Sequence, residues 1–434
     1  MKTLNTIRSY PAGYDPPPLP QGLCNHSVLA DMLIHYREFV NPAFVPPVSE
    51  KAIRQLIELT FFASMTPEER RFPNFRISCQ KDVVSMFYVT RFDPVVLDGV
   101  DTLRRLAPIL THPEFALLVT ERDGRLWCDG LLNVGPLGYD MLPGRPEFGS
   151  VGVPPSIRIE VREPGHVLAG IGAVVYEIRA GKVRLIGSYL AVPSVKTFRE
   201  QLSLYLECEL VQKEGEDATR LFGGSKHSVP IHIVLSRMLR VAVENRHGGT
   251  FVITPSDSCD TAPYNIDLKY AARSCDLGLD MIAFWSACAN AQRSNLIENH
   301  TQAIRRWNTC KAKLLADAEA VGNLSFVDGC VVLTRHLQLC GFGGEIQVSD
   351  KQASEAPRVF KDYLTNEQWE YDSFIKEIGG TRHKSAARLC KAHGGMLVFI
   401  VSQDGDLKAF SSDATKVNAF GPLDLPSVGI NLHP

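Results

Sequence analysis

The sequence predicts an α/β fold in which an N-terminal α+β region with antiparallel strands precedes a C-terminal domain built on a mixed sheet. Three observations support this fold class. Two apolar segments flank the pair Asp123-Gly124, which is a strong hairpin signal. A helical pattern over residues 231–245 ends at Gly248-Gly249 and leads into a short apolar run, as in α/β units. Near the C-terminus, residues 398–401 have the uniformly apolar character of a buried strand.

Length and composition limit the classes of protein to which the chain can belong. The 434 residues favour two or three domains. The formal net charge of −2 gives no overall basic field, so nucleic acid and membrane surfaces are not expected as partners. No apolar run reaches the roughly 18 residues that span a bilayer, and the N-terminus lacks the apolar core of a signal peptide. We therefore expect a cytoplasmic protein.

The cysteines and histidines show no metal-binding pattern in the sequence. The eleven cysteines include no Cys-x-x-Cys pair, and the twelve histidines include no His-x-x-x-His pair. The cysteines are scattered and often have apolar neighbours, as buried reduced thiols do. His383 is the only histidine whose sequence context suggests chemistry.

The N-terminal part begins with a tail and continues as helices and strands. Residues 1–24 hold a proline-rich run that cannot form a helix. The region 25–295 follows, with room for two subdomains, and Ser49 is a candidate helix cap. Apolar residues at spacings of three and four predict helices at about 25–39, 49–63, 101–110, 194–210, 231–245 and, with a break near 292–295, 277–320. Apolar runs bounded by turn residues predict strands at about 76–78, 115–121, 125–133, 156–161, 173–178, 183–192, 250–254 and 266–270.

The C-terminal domain is predicted to span residues 296–434. Its first helix, from about 297 to 320, carries an apolar stripe that we expect to face the sheet, formed by Ala303, Trp307, Cys310, Leu314 and Leu315. A polar segment at 347–377 interrupts the domain and could cover or gate a site.

One segment of this domain is suited to bind an anion. Gly380 opens a stretch of helical spacing, which places residues 381–384, Thr-Arg-His-Lys, on a helix N-terminus. Unpaired N–H groups and the helix dipole favour anions there, and an arginine, a lysine and a hydroxyl add groups that bind phosphate. A solvated helix start is the ordinary alternative for an Arg-His-Lys run.

Asp328 supplies a charge of the opposite sign. A carboxylate beside bound phosphates usually holds a divalent metal or accepts a proton from a hydroxyl. Ser402 follows the predicted buried strand, at the end where open α/β sheets bind ligands. The glycines between 329 and 344 would let the backbone approach a base or sugar. An Asp-Gly pair alone is an ordinary turn signal, so the interpretation as a site depends on these signals together.

These motifs, in their order along the chain, resemble a diadenylate cyclase domain. The matching segments are 326–333, 341–345, 380–384 and 397–405, and the family's own motifs are an Asp-Gly-Ala turn, a Gly-Thr-Arg-His-Arg loop and a strand ending in Val-Ser-Glu-Glu. Members of the family join two ATP molecules into cyclic di-AMP. Three positions depart from the family pattern, with Cys330 in place of Ala, Lys384 in place of Arg, and Gln403-Asp404 in place of two Glu.

The resemblance implies a role for each motif residue. It implies catalytic roles for Asp328, Arg382 and His383. It implies nucleotide contacts by Gly329, Gly343, Gly344, Thr381, Arg382, Lys384 and Ser402. It also implies a Mg²⁺ or Mn²⁺ ion on Asp328 and Asp404 when a nucleotide is bound, ATP or a related nucleotide as the ligand, and a homodimer formed through the C-terminal domain.

The rest of the chain, including residues 246–255, resembles the bacterial sensor proteins called DACNV. That group carries a divergent diadenylate cyclase-like domain and is linked to conflict, or defence, and signalling systems, so the resemblance implies ligand sensing. Three hypotheses follow. The protein is a nucleotide-binding sensor, an active diadenylate cyclase, or a non-catalytic scaffold whose N-terminal region binds a protein partner.

Overall fold

A computed structural model gives the fold as two compact units that divide between residues 188 and 189. Helices and strands in mixed sheets confirm the predicted α/β class. The structure describes residues 29–30, 48–67, 75–79, 89–110, 115–133, 157–171, 174–179, 182–188, 192–215, 228–272, 275–293, 297–362 and 368–425. The predicted tail at 1–24, and all but residues 29 and 30 of the predicted helix at 25–39, lie outside these residues.

Two helices of the N-terminal unit follow the sequence pattern closely. They are α1 (Glu50–Met65) and α2 (Val100–Leu106). The predicted cap Ser49 accepts a hydrogen bond from the amide of Ala52, which satisfies one of the first amides of α1. Ile53, Leu56 and Ile57 are buried on one face of α1, so the predicted apolar stripe forms the contact with the core.

The strands of the N-terminal unit form one sheet. They are β1 (Phe75–Cys79), β2 (Val89–Val96), β3 (Phe115–Arg122), β4 (Arg125–Asn133), β5 (Ile157–Glu163), β6 (His166–Ile171), β7 (Val174–Arg179) and β8 (Lys182–Ser188). Their order is β2, β4, β3, β1, β5, β6, β7, β8. Only β1 and β3 pair in parallel among these neighbours, which matches the predicted antiparallel character. The helix α1 packs against β5 and β6.

Two of these strands were not predicted from the sequence. Pro94 lies inside β2, where proline removes a ladder hydrogen bond and hides the strand pattern. Pro94 lies within a shift of register between Arg91 and Val95. Among the described strands, β2 pairs with β4. The strand β6 follows the turn at Gly165, which has φ of +68°. The sequence around this turn offered no alternating pattern strong enough to reveal the second arm of the hairpin.

The hairpin of β3 and β4 confirms the turn predicted at Asp123-Gly124. Asp123 has φ of 51° and Gly124 has φ of 72°, so both central residues occupy the left-handed region that a tight two-residue hairpin loop requires. A Cβ added at Gly124 would have no heavy atom within 4 Å. Glycine is therefore needed there for its backbone freedom and not for space.

The C-terminal unit contains the remaining helices. They are α3 (Pro193–Glu214), α4 (Ser228–Asn245), α5 (Leu277–Arg293), α6 (Ile297–Asn323), α7 (Asp350–Glu355), α8 (Tyr371–Glu377) and α9 (Thr381–Ala392). Helix α5 extends to Arg293 and helix α6 begins at Ile297, and the break was predicted near 292–295. Among the helices that the structure describes, none combines the length and apolar character needed to cross a bilayer.

A mixed sheet forms the centre of the C-terminal unit. Its strands are β9 (Gly249–Ile253), β10 (Ile266–Ala271), β11 (Cys330–Leu333), β12 (Leu339–Ile346), β13 (Val359–Asp362), β14 (Gln368–Trp369), β15 (Leu397–Val401), β16 (Leu407–Ser412) and β17 (Lys416–Asp424). They lie in the order β10, β12, β11, β9, β15, β16, β17, β13, β14, with parallel pairs at β11–β9 and β17–β13. The helix α9 packs on β12, β15 and β16.

The structure differs from the sequence-based expectations for this unit in three ways. The predicted boundary lay at 295/296, but the chain divides at 188/189, because β9 and β10 hydrogen-bond within the same sheet as β11, β12 and β15. The apolar stripe of α6 was expected to face the sheet, yet α6 packs mainly on α4 and α5. The polar segment at 347–377 contributes β13 to the sheet, and Phe360 is fully buried, so β13 is part of the core.

We expect Gly124→Ala to lower the free energy of unfolding of the N-terminal unit by about 1–2 kcal/mol, because alanine is strained in the left-handed region. Gly99→Ala is the matched control. Gly99 also has open space around it, but its φ of −166° suits any residue, so alanine is unstrained there and should cost only its poorer fit as the N-cap of α2, which we expect to be less than the cost at Gly124. Urea unfolding of both variants measures the difference, and equal losses would contradict the assigned turn.

Candidate functional site

A cavity of about 930 Å³ lies in the C-terminal unit at one end of the central strands. Segments that are distant in sequence meet around it. Its lining consists of Thr250, Asp328, Gly329, Cys330, Gly344, Glu345, Ile346, Gly380, Thr381, Arg382, His383, Ser385, Arg388, Val401, Ser402, Gln403 and Asp404.

The N-terminus of α9 opens into this cavity. Gly380 precedes the helix in an extended conformation and supplies no side-chain cap. The first helical hydrogen bond runs from the amide of Lys384 to the carbonyl of Gly380. The amides of residues 381–383 therefore have no acceptor within the helix. The first turn contains no acidic residue. These amides and the helix dipole therefore make this end of the cavity favourable for an anion.

The opposite end of α9 is fixed by Arg358. Its guanidinium donates from Nη1 to the carbonyls of Lys391 and Ala392 at 3.1 Å each, and from Nε to the carbonyl of Asp413 at 2.6 Å. These bonds satisfy carbonyls at the helix C-terminus with a positive charge, which the dipole also favours. Arg358 lies in the segment 347–377 that the sequence suggested as a gate. None of the described residues of that segment lines the cavity.

Arg382 lies beside Asp328 at the cavity. Its Nη2 atom is 3.9 Å from Oδ1 of Asp328, too far for a hydrogen bond, and the Asp328 side chain is 91% exposed. A Cβ at Gly248 would lie 2.6 Å from Nη1 of Arg382, so the absence of a side chain at Gly248 leaves room for the guanidinium. The loose ion pair leaves Arg382 able to turn its donors toward an incoming anion.

His383 is the buried titratable group of the site. The residue is only 9% exposed, and its Nε2 atom is buried without a hydrogen-bond partner. Burial lowers the pKa of His383 to about 4, and the positive charges of Lys408 and Arg382 act in the same direction while Asp406 opposes them. The imidazole is therefore neutral at pH 7 and offers Nε2 as a donor or an acceptor according to its tautomer.

Close backbone packing shapes the wall beside Asp328. Gly329 has φ of +120°, and a Cβ there would lie 2.5 Å from the carbonyl carbon of Gly343. A Cβ at Gly344 would lie 2.8 Å from Sγ of Cys330. Burial raises the pKa of the Cys330 thiol to about 12, so this sulfur packs as an apolar group. The glycines thus allow β11 and β12 to come together at the mouth of the cavity.

Ser402 organises the turn that carries Asp404. Its Oγ accepts a hydrogen bond from the amide of Asp406 at 3.0 Å, and its own amide donates to the carbonyl of Asp406 at 2.9 Å. Gly405 closes the turn with φ of 81° and donates its amide to the carbonyl of Ser402. The serine therefore holds the loop that places Gln403 and Asp404 against the cavity.

The structure brings most of the predicted site residues to one cavity. Asp328, Arg382 and His383 line it, and so do Gly329, Gly344, Thr381, Ser402 and Asp404. Gly343 and Lys384 do not line it. Gly343 packs against Gly329, and Lys384 lies near Asp350, where its charge helps to lower the pKa of that carboxyl. The functional roles assigned to all these residues stay predictions.

The predicted site residues did not include five polar residues of the lining, which are Thr250, Glu345, Ser385, Arg388 and Gln403. Arg388 could have been found, because it follows Thr381 by seven positions and helical spacing returns it to the same face of α9. Its guanidinium also binds the carboxylate of Asp350 at 2.8 Å. Glu345 follows directly after the glycines of β12. Thr250 carried no signal, since it reads as an ordinary residue of a buried strand.

The acidic residues suit a metal ion only in combination with a ligand. Within the described part of the chain, no group of three or more His, Cys, Asp or Glu side chains is placed to hold a metal. Asp328 and Asp404 both line the cavity and offer the hard oxygen atoms that Mg²⁺ and Mn²⁺ prefer. Mg²⁺ commonly binds through one or two carboxylates together with water and phosphate oxygens. The donor set thus fits an ion that arrives with a phosphate ligand.

In a comparison with known proteins, one family model matches part of the N-terminal unit. A family model described as "Probable sensor domain DACNV" matches residues 43–133, which contain α1, α2 and β1 to β4. No curated protein matches the chain. The match supports a sensor or signalling role and the sensor group expected from the sequence. It does not extend to the motifs around the cavity.

The depressed pKa of His383 predicts a specific pH dependence. Its value of about 4 in the folded protein lies below the ordinary 6.5, so the unfolded chain binds more protons between these two pH values. The free energy of unfolding should therefore fall as the pH drops from 6.5 toward 4. We expect His383→Gln to reduce the slope of the free energy of unfolding against pH, by an amount that corresponds to at most one proton taken up per molecule on unfolding. Urea unfolding at pH 7, 6 and 5 measures this slope. Identical slopes in the two proteins would contradict the assignment.

Proposed function

We propose that the protein is a nucleotide-binding sensor whose ligand occupies the cavity at the N-terminus of α9. The observation that carries this proposal is the combination of an uncapped helix N-terminus, the loosely paired guanidinium of Arg382 and the unpartnered Nε2 of the buried His383 around one cavity. A volume of about 930 Å³ is at the upper end of the range for pockets that bind small molecules and cofactors.

Each group has a defined task in this proposal. The amides of residues 381–383 bind phosphate oxygens, and Arg382 binds two oxygens of the same group. Asp328 and Asp404 hold a divalent ion that accompanies the phosphates, and that ion neutralises part of their charge. Neutral His383 donates or accepts a hydrogen bond to the sugar or base. Lys384 lies outside the lining and contributes its positive charge at longer range.

The glycines and Ser402 complete the proposed nucleotide site. Gly329 and Gly344 expose backbone at the wall of the cavity, where a flat base or a sugar can approach closely. Gly343 supports that wall from behind. Thr381 and Ser402 add hydroxyl groups near the phosphates. The scaffold hypothesis fits this arrangement less well, since a chain that only binds a protein partner has no use for a cavity lined by Asp328, Arg382 and His383.

Arg382→Ala tests the phosphate contact. We expect this change to weaken ATP binding by on the order of 1.5–3 kcal/mol, or about 10- to 150-fold, because a charge-assisted hydrogen bond is lost. Isothermal titration calorimetry of the full chain with ATP and Mg²⁺ measures the change, and other nucleotides and cyclic dinucleotides are titrated in parallel. Arg306→Ala is the matched control, because Arg306 is an exposed residue of α6 outside the cavity.

Two results of this titration would contradict the sensor proposal. One is that none of the nucleotides or cyclic dinucleotides binds the native chain. The other is that a nucleotide binds equally to native protein, Arg382→Ala and Arg306→Ala, which would place the ligand elsewhere.

Synthesis of cyclic di-AMP is a second candidate, favoured by the exposure of Asp328. A carboxylate that is 91% exposed at the mouth of a cavity could act on a second nucleotide held by another copy of the chain. In that reaction each ATP 3′-oxygen forms a bond to the α-phosphorus of the other ATP, and the bond from that phosphorus to the β-phosphate bridging oxygen breaks. Two pyrophosphates leave. Asp328 accepts the hydroxyl proton, and Arg382 stabilises the charge that develops on the phosphoryl group.

The Asp328→Asn variant separates synthesis from sensing. If the protein is a cyclase, purified chain with ATP and Mn²⁺ or Mg²⁺ should release a dinucleotide detectable by mass spectrometry. The asparagine variant should lose at least 100-fold of that rate because it cannot accept the proton. Absence of the dinucleotide under every metal condition would exclude the cyclase candidate and leave the sensor proposal intact. Analytical ultracentrifugation with ATP checks whether two copies associate.

A further inference from the structure

A second cavity, of about 660 Å³, lies at the other end of the same central strands. The strand β9 touches the first cavity at Thr250 and the second at Ile253. The strand β15 touches the first at Val401 and the second at Leu397. All the residues that line the second cavity belong to the C-terminal unit, and none of them lines the first.

A continuous row of paired residues crosses the sheet at this cavity. Lys361 of β13 pairs with Asn418 of β17, and Asn418 pairs with Ser411 of β16. Ser411 pairs with Leu397 of β15, which pairs with Ile253 of β9. Directly paired residues place their side chains on the same face, with strands about 4.8 Å apart. The row therefore runs for about 19 Å from a polar end at Lys361 to an apolar end at Ile253.

The polar end of the row has hydrogen-bonding groups that the protein does not use. Ser411 is only 4% exposed, yet its hydroxyl makes no hydrogen bond with the residues that the structure describes. The side-chain amide of half-buried Asn418 is likewise without a described partner. Lys361 is half-buried and forms no ion pair with any described carboxylate. All three side chains line the cavity, so their polar groups are accessible to a ligand that enters it.

Asp413 and Arg335, two other charged residues at this cavity, are already engaged in close contacts. Asp413 accepts hydrogen bonds from the amides of Thr415 at 2.8 Å and Lys416 at 2.9 Å, and these bonds help to hold the pKa of its carboxyl below the ordinary value against the opposing effect of burial. The ammonium of Lys416 lies 3.9 Å from the same carboxylate. Arg335 forms a two-pronged pair with Asp257. Lys361, which forms no ion pair with a described carboxylate, and Lys416, whose ion pair is loose, are thus the cations that this lining leaves available for an anion.

The helix α3 supplies the wall that completes the cavity. Thr197, Phe198 and Gln201 recur at helical spacing and line it along one face of α3. Phe198 adds an aromatic surface to this wall. The cavity therefore has an apolar wall in addition to its polar end.

We propose that this second cavity binds a small amphipathic anion, a carboxylate or a phosphate carried on an apolar body. The anionic group contacts Lys361, Asn418 and Ser411, and the apolar body lies along Leu397 and Ile253 toward Phe198. The site is separate from the cavity at α9, and it does not depend on nucleotide binding there.

Octyl phosphate and octanoate test this site, because they share one apolar body and differ in the anionic group. Each is titrated calorimetrically into the full chain below its micelle-forming concentration. We expect one-to-one binding of at least one of them, and the stronger of the two identifies the preferred anion. Octylammonium, which has the same chain and the opposite charge, should bind at least tenfold more weakly.

The variant Lys361→Met removes the charge and keeps an apolar stem of similar length, and it should weaken binding of the octyl anion at least tenfold. Lys351→Met is the matched control on the exposed surface of α7. Asn418→Leu should also weaken binding. This second variant keeps the test possible if circular dichroism shows that the lysine variant is not folded. Arg382→Ala should leave binding unchanged.

Four outcomes would overturn the inference. The first is that neither octyl anion binds at millimolar concentration. The second is equal binding of octylammonium. The third is an equal affinity of Lys361→Met and Lys351→Met for the anion. The fourth is loss of anion binding in Arg382→Ala, which would assign the anion to the first cavity. Nucleotide titrations of the same proteins keep failure of this site distinct from failure of the proposed sensor function.

Discussion

The C-terminal unit depends on the placement of β9, a strand whose five residues are all buried. It hydrogen-bonds in parallel to β11 on one side and antiparallel to β15 on the other, so a shift by one residue would turn every side chain to the wrong face. Arg246 and Gly248, with φ of 52° and 76°, turn the chain out of α4 and into this strand. The same Gly248 leaves the space that the guanidinium of Arg382 occupies. The path of the chain into β9 and the space beside Arg382 therefore depend on the same turn.

Helix caps and turns were predicted reliably where a residue type has a direct preference for the local backbone conformation. Ser49 caps a helix, and Asp123-Gly124 forms the hairpin turn, because each residue type directly satisfies the backbone at its own position. Packing between distant parts of the chain was harder to predict from the sequence. The stripe of α6 is real, with Trp307 and Leu314 buried, but an apolar stripe does not specify whether a sheet or other helices will cover it. The division at 188/189 was not predicted for a similar reason, since strand pairing between β9 and β11 spans some eighty residues.

The candidate site was predicted in outline and not in detail. Motif order along the chain was enough to bring Asp328, Arg382 and Ser402 into one hypothesis, and the structure brings them to one cavity. Which glycine lines the cavity and which one supports it from behind depends on contacts between β11 and β12, and a sequence contains no such distances. The second cavity was invisible in the sequence, because its polar row, which includes Lys361 and Ser411, comes from strands that are separated along the chain and adjacent only in the sheet.

The contact between Gly329 and Gly343 affects how variation at this site should be read. Since a Cβ at 329 would lie 2.5 Å from a backbone carbon, every residue except glycine at that position must displace β12 or the Asp328 turn. A saturation scan would therefore score position 329 as critical even though it has no side chain with which to recognise anything. Position 380, where added atoms meet open space, would score as tolerant although its neighbours present the amides. Mutational sensitivity here reports on steric fit first, and ligand contacts have to be separated from it by variants that leave the backbone in place.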